Sequence, residues 1–186
     1  FQAEDELLRI DNRVRNLLDI PVRRKEVVQP YLLKEEEAKD HLTLRFTIPS
    51  EIEVAAPHLA LEEETLTSIR WNGEDVPSQA DGWYVDEDIH TVPLPPLHTG
   101  INILEITVPI GPRTNLEAFY LLGDFGVRLN GTQKTVTSPV RRLGFGDITS
   151  QGLPFYTGNL LYKMHVRTQG GLTLRVPRYR GGLIKV

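Results

Sequence analysis

Cysteine is absent from this sequence, methionine and tryptophan are rare, and no long apolar run occurs. Without cysteine the chain has no disulfide framework, thiolate metal site or thiolate nucleophile, so the fold must depend on its hydrophobic core. The lack of 18 consecutive apolar residues excludes a membrane span, and the acidic start Phe1–Asp5 is unlike a signal peptide. Because the sequence does not begin with methionine, we expect a piece of a larger protein, a processed chain or an expression product. These features are compatible with a cytoplasmic and with a secreted chain.

Acidic residues are nearly absent from the last part of the chain. Residues 131–186 hold nine Lys+Arg and one acid, Asp147, whereas residues 1–130 hold 12 Lys+Arg and 24 Asp+Glu. A basic segment could bind a polyanion such as nucleic acid or an acidic polysaccharide. However, the basic residues are scattered at strand-like spacing, and the acidic part of the same chain can neutralise them. We therefore expect no nucleic-acid partner.

Length and composition are those of a globular protein. The chain has 186 residues, of which 40% are hydrophobic and 25% charged. A chain of this length can bury about 70% of the surface that it exposes when unfolded. We expect one domain, or one domain and part of another.

The first residues predict a single helix. Apolar residues recur at three- and four-residue intervals, at Leu7, Ile10, Val14, Leu17 and Leu18. Two Asp–Arg pairs with i,i+4 spacing support the same helix, Asp5–Arg9 and Asp11–Arg15. We assign residues 1–28 to a helical lead-in and linker, and Val22–Lys39 to a connector. The apolar side of the helix either packs on the following domain or contacts a domain outside this chain.

From Leu42 onward the hydrophobic period changes to two. Apolar and polar residues alternate in Leu42–Ile48, which predicts a strand with one face in solvent. Further strands are predicted at Leu59–Leu61, Leu66–Trp71, Gly82–Asp86, Asp88–Leu94, Ile101–Val108, Ala118–Leu122, Phe125–Leu129, Gln133–Thr137, Asn159–Arg167, Leu172–Val176 and Leu183–Val186. Since no helices separate them, we predict an all-β fold, an antiparallel two-sheet β-sandwich over residues 29–150 with an N-terminal helix. The alternation assigns six residues of two strands to its core: Leu44, Phe46, Ile48, Leu104, Ile106 and Val108.

The last part of the sequence repeats features of the first strands. Three apolar residues, Tyr162, Met164 and Val166, match Leu44, Phe46 and Ile48 in type. Val176 precedes Ile184 by eight residues, as Leu61 precedes Ile69. Residues 151–186 therefore either complete the first sandwich or begin a truncated second copy of it, with chance similarity as the competing explanation. A truncated copy would expose an apolar face, which makes self-association the expectation.

Three features follow one another between Ile69 and Val108. A strand enters the turn Asn72-Gly73, a loop carries aromatic and acidic residues, and Gly100-Ile101-Asn102 opens an alternating strand. This order resembles the galactose-binding-like jelly-roll modules that accompany the catalytic domains of family 2-like glycoside hydrolases, and the likeness covers roughly residues 28–186. The resemblance implies a non-catalytic accessory module of a large bacterial protein of this kind. Such a module is a structural spacer that could contact carbohydrate, and its partner is the catalytic or neighbouring domain of the same polypeptide.

Carbohydrate contact requires aromatic faces for the C–H groups of sugars and polar side chains for their hydroxyls. Two predicted loops offer such residues, Trp83, Tyr84 and Asp86 in one and Arg113, Asn115 and Glu117 in the other. These six are the candidate carbohydrate-binding residues. The structural alternative is that the aromatic residues close one end of the sandwich. Trp71 follows the strand alternation and is expected in the core.

The sequence offers no convincing catalytic pair. A glycosidase needs two carboxylates about 5–9.5 Å apart. Five acids lie in or beside predicted loops: Asp86, Asp88, Glu117, Asp124 and Asp147. Solvation and turn capping explain them more simply, so we do not expect an enzyme.

No cofactor is expected either. The five histidines are dispersed and lack the spacing of a zinc site. Asp86-Glu87-Asp88 could supply oxygen ligands to a structural calcium ion, although the ligand spacing of an EF-hand loop is missing. The second functional hypothesis is a protein–protein interaction or oligomerisation module that uses the helix and the sheet edges.

Overall fold

The computed structural model describes residues 2–22, 38–114, 116, 118–178 and 183–185. The chain divides into two compact units, Phe1–Tyr156 and Thr157–Val186. Within the described residues, the first unit contains one α-helix and ten strands in two sheets. The prediction of an all-β, two-sheet fold with an N-terminal helix is confirmed at this level.

Helix α1 spans Leu7–Leu17. The strands are β1 (Asp40–Ser50), β2 (His58–Leu61), β3 (Ser68–Trp71), β4 (Glu74–Val76), β5 (Gly82–Tyr84), β6 (Asp86–Pro93), β7 (Gly100–Ile110), β8 (Tyr120–Leu122), β9 (Gly126–Asn130) and β10 (Gln133–Thr137). Two short 3₁₀ turns cover Glu64–Leu66 and Ile148–Ser150. Leu66, predicted to start a strand, lies in the first of these turns, and the strand begins at Ser68.

The strands form one sheet of six, in the order β4-β3-β7-β1-β10-β9, and one sheet of four, in the order β5-β6-β2-β8. The pairings among these strands are antiparallel, except that β1 and β10 run parallel and share the single pair Ser50 and Val136. A mainly antiparallel fold is what strands without crossover helices require.

The longest pairing joins β1 to β7 and fixes the register of the core. Leu44 lies opposite Ile106 and Phe46 opposite Leu104. Leu44, Leu104, Ile106 and Val108 are buried, while Phe46 and Ile48 pack partly buried against the same cluster. On the other face, the hydroxyls of Thr43 and Thr107 lie 2.9 Å apart at the surface. The predicted faces of both strands are therefore confirmed, and Trp71 is also buried in the core.

The Asn-Gly turn and the Gly-x-Asn strand entry contact each other. Asn72 (φ +51°) and Gly73 (φ +88°) make the tight turn between β3 and β4, where both positions need a left-handed backbone. The Asn72 amide donates to Oδ1 of Asn102 at 3.1 Å, and Oδ1 of Asn72 accepts from the N–H of Ile103 at 2.8 Å. Asn102 is fully buried and also holds both backbone groups of His98, the N–H at 3.0 Å and the carbonyl at 2.7 Å. These motifs thus brace the β3–β4 hairpin against the start of β7.

Helix α1 packs on the first unit. Ile10 and Val14 belong to its core cluster. Asp11 and Arg15 form a fully buried ion pair at 3.0 Å, and Arg15 also donates to the carbonyl oxygens of Pro21 (3.0 Å), Pro112 (3.3 Å) and Thr114. The buried guanidinium therefore fastens the helix to the turn that follows β7. Of the two expectations for the apolar side of the helix, packing on the following domain is confirmed.

The second unit differs from its sequence-based expectation. The described residues 157–178 and 183–185 contain no helix or strand. The strands predicted at Asn159–Arg167, Leu172–Val176 and Leu183–Val186 are therefore not formed in the described residues. Alternation sets which side chains share a face, but a strand also needs a neighbour for its backbone N–H and C=O groups. The expected connector Val22–Lys39 lies largely outside the described residues.

Candidate functional site

The first predicted loop is a hairpin between β5 and β6. Trp83 and Tyr84 end β5, Asp86 starts β6, and Val85 lies between them at φ +66°. A positive φ is rare for a β-branched residue and marks a strained turn. Trp83 is 58% exposed and Tyr84 36% exposed. The three predicted residues therefore lie together at the surface.

A row of small residues crosses the outer face of the four-stranded sheet. Gly82 lies opposite Thr91, Thr91 opposite Ala60, and Ala60 opposite Tyr120. The neighbours of Ala60 on β2, Leu59 and Leu61, belong to the core, so Ala60 faces outward. Ala60 is nevertheless fully buried. Something on the outer face must therefore cover it.

Two tyrosine rings meet across this row. Tyr84 comes from β5 and Tyr120 from β8, the two edge strands of the sheet, which are about 14 Å apart at three strand spacings. The ring centroids are only 5.5 Å apart, with the planes tilted by 53°. The rings can approach because the residues between the strands are small. Tyr120 remains 39% exposed, so this aromatic pair presents ring surface to solvent.

Asp81 organises the polar side of the same row. Its Oδ1 accepts from the hydroxyl of Thr91 at 2.7 Å, its backbone N–H donates to the Thr91 carbonyl at 2.9 Å, and its Oδ2 lies 3.0 Å from Nε2 of His58. The Thr91 hydroxyl is the main reason why the pKa of Asp81 is lowered, burial opposes it, and His58 adds to the lowering. An ionised carboxylate with these contacts links the start of β5 to Thr91 in β6 and to His58 in β2.

Trp83 lies opposite His90 in the hairpin. Nδ1 of His90 is 2.6 Å from Oε2 of Glu64, a buried carboxylate in the 3₁₀ turn before β3. The hydrogen bond to Glu64 is the largest cause of a raised pKa at His90, against a smaller opposing effect of burial. The hairpin is thus tied to the 3₁₀ turn by an interaction that strengthens when His90 carries a proton.

The second predicted loop lies elsewhere. Arg113 is half-buried in the turn after β7, between Pro112 and Thr114, whose carbonyl oxygens accept from Arg15 of the helix. Asn115 and Glu117 lie outside the described residues. The side chain that meets the hairpin is that of Tyr120, which the sequence did not single out. In the sequence, Tyr120 lies in the predicted strand Ala118–Leu122 and begins a segment, Tyr120–Val127, that resembles a connection between tandem modules.

Several acids that we weighed as catalytic or calcium-binding candidates take part in local structure. Oδ1 of Asp86 accepts from the N–H of Asp88 at 3.1 Å. Asp124 pairs with Arg141 at 2.6 Å, and Asp147 accepts from the N–H of Thr149 at 2.9 Å. Among the described residues, no group of three or more His, Asp or Glu side chains is arranged to hold a metal ion.

The described part of the chain also has no helix with the length and apolar character needed to cross a membrane. Comparisons of the chain with models of protein families, with curated proteins and with solved structures found no match.

Proposed function

We propose that the first unit is a non-catalytic accessory module of a multidomain glycoside-hydrolase-like protein, a structural spacer that contacts carbohydrate through the outer face of its four-stranded sheet. The observation that carries the carbohydrate contact is the aromatic pair. Its two tyrosines, Tyr84 and Tyr120, belong to the edge strands β5 and β8, and each is more than one-third exposed.

The chemistry of this face suits a sugar. Sugar rings present C–H groups that pack on aromatic faces, and their hydroxyls need acceptors and donors nearby. The hairpin supplies exposed carboxylates at Asp86, Glu87 and Asp88. The pair is also preorganised, because the register and the small residues Gly82 and Ala60 fix where the rings lie. Preorganisation lowers the entropic cost of binding.

Two observations support the proposed type of module. The two-sheet architecture suits a galactose-binding-like jelly roll, and the motifs on which the resemblance rests, Asn72-Gly73 and Gly100-Ile101-Asn102, brace one hairpin to one strand. Because these motifs stabilise the fold and contact no ligand site, a resemblance based on them supports a fold in common with those modules rather than a ligand in common. The accessory role is therefore proposed from the architecture, and the carbohydrate contact from the aromatic pair.

Affinity electrophoresis through gels that contain hydroxyethyl cellulose, xylan, mannan, galactan or starch tests this proposal. We expect at least one polysaccharide to retard the wild-type chain. Tyr120→Ala should weaken the affinity for that polysaccharide by about 2- to 12-fold, because one stacking ring contributes about 0.5–1.5 kcal/mol. Phe155→Ala is the control, since Phe155 is an exposed aromatic residue (59%) in the segment after the second 3₁₀ turn and not in the four-stranded sheet, and its loss should change nothing. The carbohydrate contact is wrong if no gel retards the wild-type chain, or if both variants migrate alike.

A second candidate function is a protein–protein interaction module. It is favoured by one specific observation, the exposure of alternating apolar side chains in the second unit, from Leu160 to Val176. Apolar side chains with this spacing suit pairing with another polypeptide better than contact with sugar.

A further inference from the structure

The second unit leaves apolar side chains of two segments in solvent. In the described residues 160–166 and 172–176 apolar side chains recur at alternating positions, and each is 42–66% exposed: Leu160, Tyr162, Met164, Val166, Leu172, Leu174 and Val176. We call these side chains the apolar face of the second unit. Leaving apolar surface in water costs about 25 cal/mol per Å². Exposed apolar faces of this kind mark interaction sites in soluble proteins.

The sequence repeat relates this segment to particular strands of the first unit. Tyr162, Met164 and Val166 correspond to the inward-facing residues of β1. Val176 corresponds to Leu61, the last residue of β2, and Ile184 to Ile69 in β3. Residues 159–186 therefore resemble β1, β2 and β3 in order and in the alternation of apolar side chains.

The topology of the first unit shows what such a set of strands needs. Among the described residues, β1 pairs with β7 and β10, β2 with β6 and β8, and β3 with β4 and β7. No two of β1, β2 and β3 pair with each other, and every partner comes later in the sequence. Three strands of this kind can form no ladder among themselves. The described residues of the second unit, which alternate in the same way, contain no strand.

We infer that the described residues between 159 and 185 belong to the first three strands of a second β-sandwich, and that their partner is a polypeptide that supplies strands equivalent to β4–β10. The occupant of the exposed apolar face is thus the second half of the same fold. The same segment of a second copy of this chain does not meet the requirement, because it would again bring only strands of the β1–β3 type.

Charge gives the partner a stated chemistry. Residues 157–186 contain six Lys+Arg and no acid. In the first unit, Arg70 of β3 pairs with Asp75 of β4 at 3.2 Å and with Glu105 of β7 at 3.4 Å. Lys185 takes the place of Arg70 in the repeat, so the partner strands should present carboxylates to it. Residues 72–150 have this character, with five Lys+Arg against ten Asp+Glu.

The experiment extends the full chain by its own later strands. A second copy of residues 72–150 is joined after Val186, since Val186 corresponds to Trp71, and amide hydrogen exchange is followed by mass spectrometry in the chain with and without the extension. We expect the amides of residues 159–167 and 172–176 to exchange at least about 100-fold more slowly in the extended chain, because paired strands open only by unfolding.

Two variants of the extended chain separate specific pairing from loose collapse. Met164→Ser alters the apolar face and should return the exchange of residues 159–167 to within about tenfold of the rate in the unextended chain. Lys163→Ser, on the opposite face, should keep the protection. Protection of residues 40–137 in the same sample reports that the first unit is folded.

Two results would overturn the inference. One is rapid exchange of residues 159–176 in the extended chain while residues 40–137 stay protected. The other is a stable dimer of the unextended chain by light scattering, in which residues 159–176 are already protected, since a second copy would then be the occupant.

Discussion

Replacement of Asn102 by alanine tests the brace between the Asn-Gly turn and the start of β7. The side chain of Asn102 is fully buried and makes three hydrogen bonds, to the amide of Asn72 (3.1 Å) and to the N–H (3.0 Å) and carbonyl (2.7 Å) of His98. A buried hydrogen bond contributes about 0.5–1.5 kcal/mol, and a partner left unsatisfied costs about 1–3 kcal/mol. Because the loop around His98 is only partly buried, water can reach some of these groups. We therefore expect Asn102→Ala to lower the free energy of unfolding by about 3 kcal/mol.

Urea unfolding followed by circular dichroism measures this loss. The midpoint should fall with little change in slope, since the surface exposed on unfolding is nearly the same. Asn130→Ala is the control, because Asn130 is also a strand asparagine, at the end of β9, but it is exposed. It should stay within about 0.5 kcal/mol of wild type. A loss below about 1 kcal/mol for Asn102→Ala, or equal losses for the two variants, would refute the bracing role.

Three further predictions follow from the same structure. Ile106→Ala should lower the free energy of unfolding by about 2–5 kcal/mol because Ile106 is fully buried, and Thr107→Ala, on the other face of β7, should lower it much less. Urea unfolding curves that rank the two variants the other way would show that the register of this strand is wrong by one residue. Arg15→Ala leaves the buried carboxylate of Asp11 without its guanidinium and should cost about 3–5 kcal/mol by the same melts, whereas a loss below about 1 kcal/mol would mean that the pair is solvated. Glu64 raises the pKa of His90, so the stabilisation by charged His90 is fully present below its unfolded pKa of 6.5 and is lost as the pH rises through the raised folded pKa. Wild type should therefore exceed His90→Gln in stability by more at about pH 5 than at about pH 9, and a constant difference would contradict this linkage.

Local sequence patterns were sufficient to predict the strands with strong alternation and the turn with a characteristic residue pair. The period of two in Leu42–Ile48 and Ile101–Val108 gave the buried faces of β1 and β7, because a strand with one dry face has a single acceptable register. Asn72-Gly73 predicted a tight turn since few residue pairs accept positive φ at both positions.

The candidate site could be predicted only in part. The hairpin with Trp83, Tyr84 and Asp86 follows from local sequence, but the approach of Tyr120 depends on the pairing of β8 with β2. Which strands become neighbours is decided by the whole fold, and no local pattern encodes it. For the same reason alternation predicted strands in residues 159–176 that have no neighbour among the described residues.

The proposed carbohydrate contact is tested most directly by the aromatic C–H signals of Tyr84 and Tyr120 in a carbon–proton NMR spectrum. Both tyrosines are exposed and their rings pair on the outer face, whereas Trp71 is buried with its indole N–H 3.3 Å from the Pro96 carbonyl and provides the reference signal. The chain is titrated with soluble oligosaccharides of cellulose, xylan, mannan, galactan and starch. The account predicts that at least one of them shifts the Tyr84 and Tyr120 signals in a saturable way and leaves the Trp71 signal in place. Absence of any shift at the two tyrosines throughout the series, or an equal shift of the Trp71 signal, would contradict it.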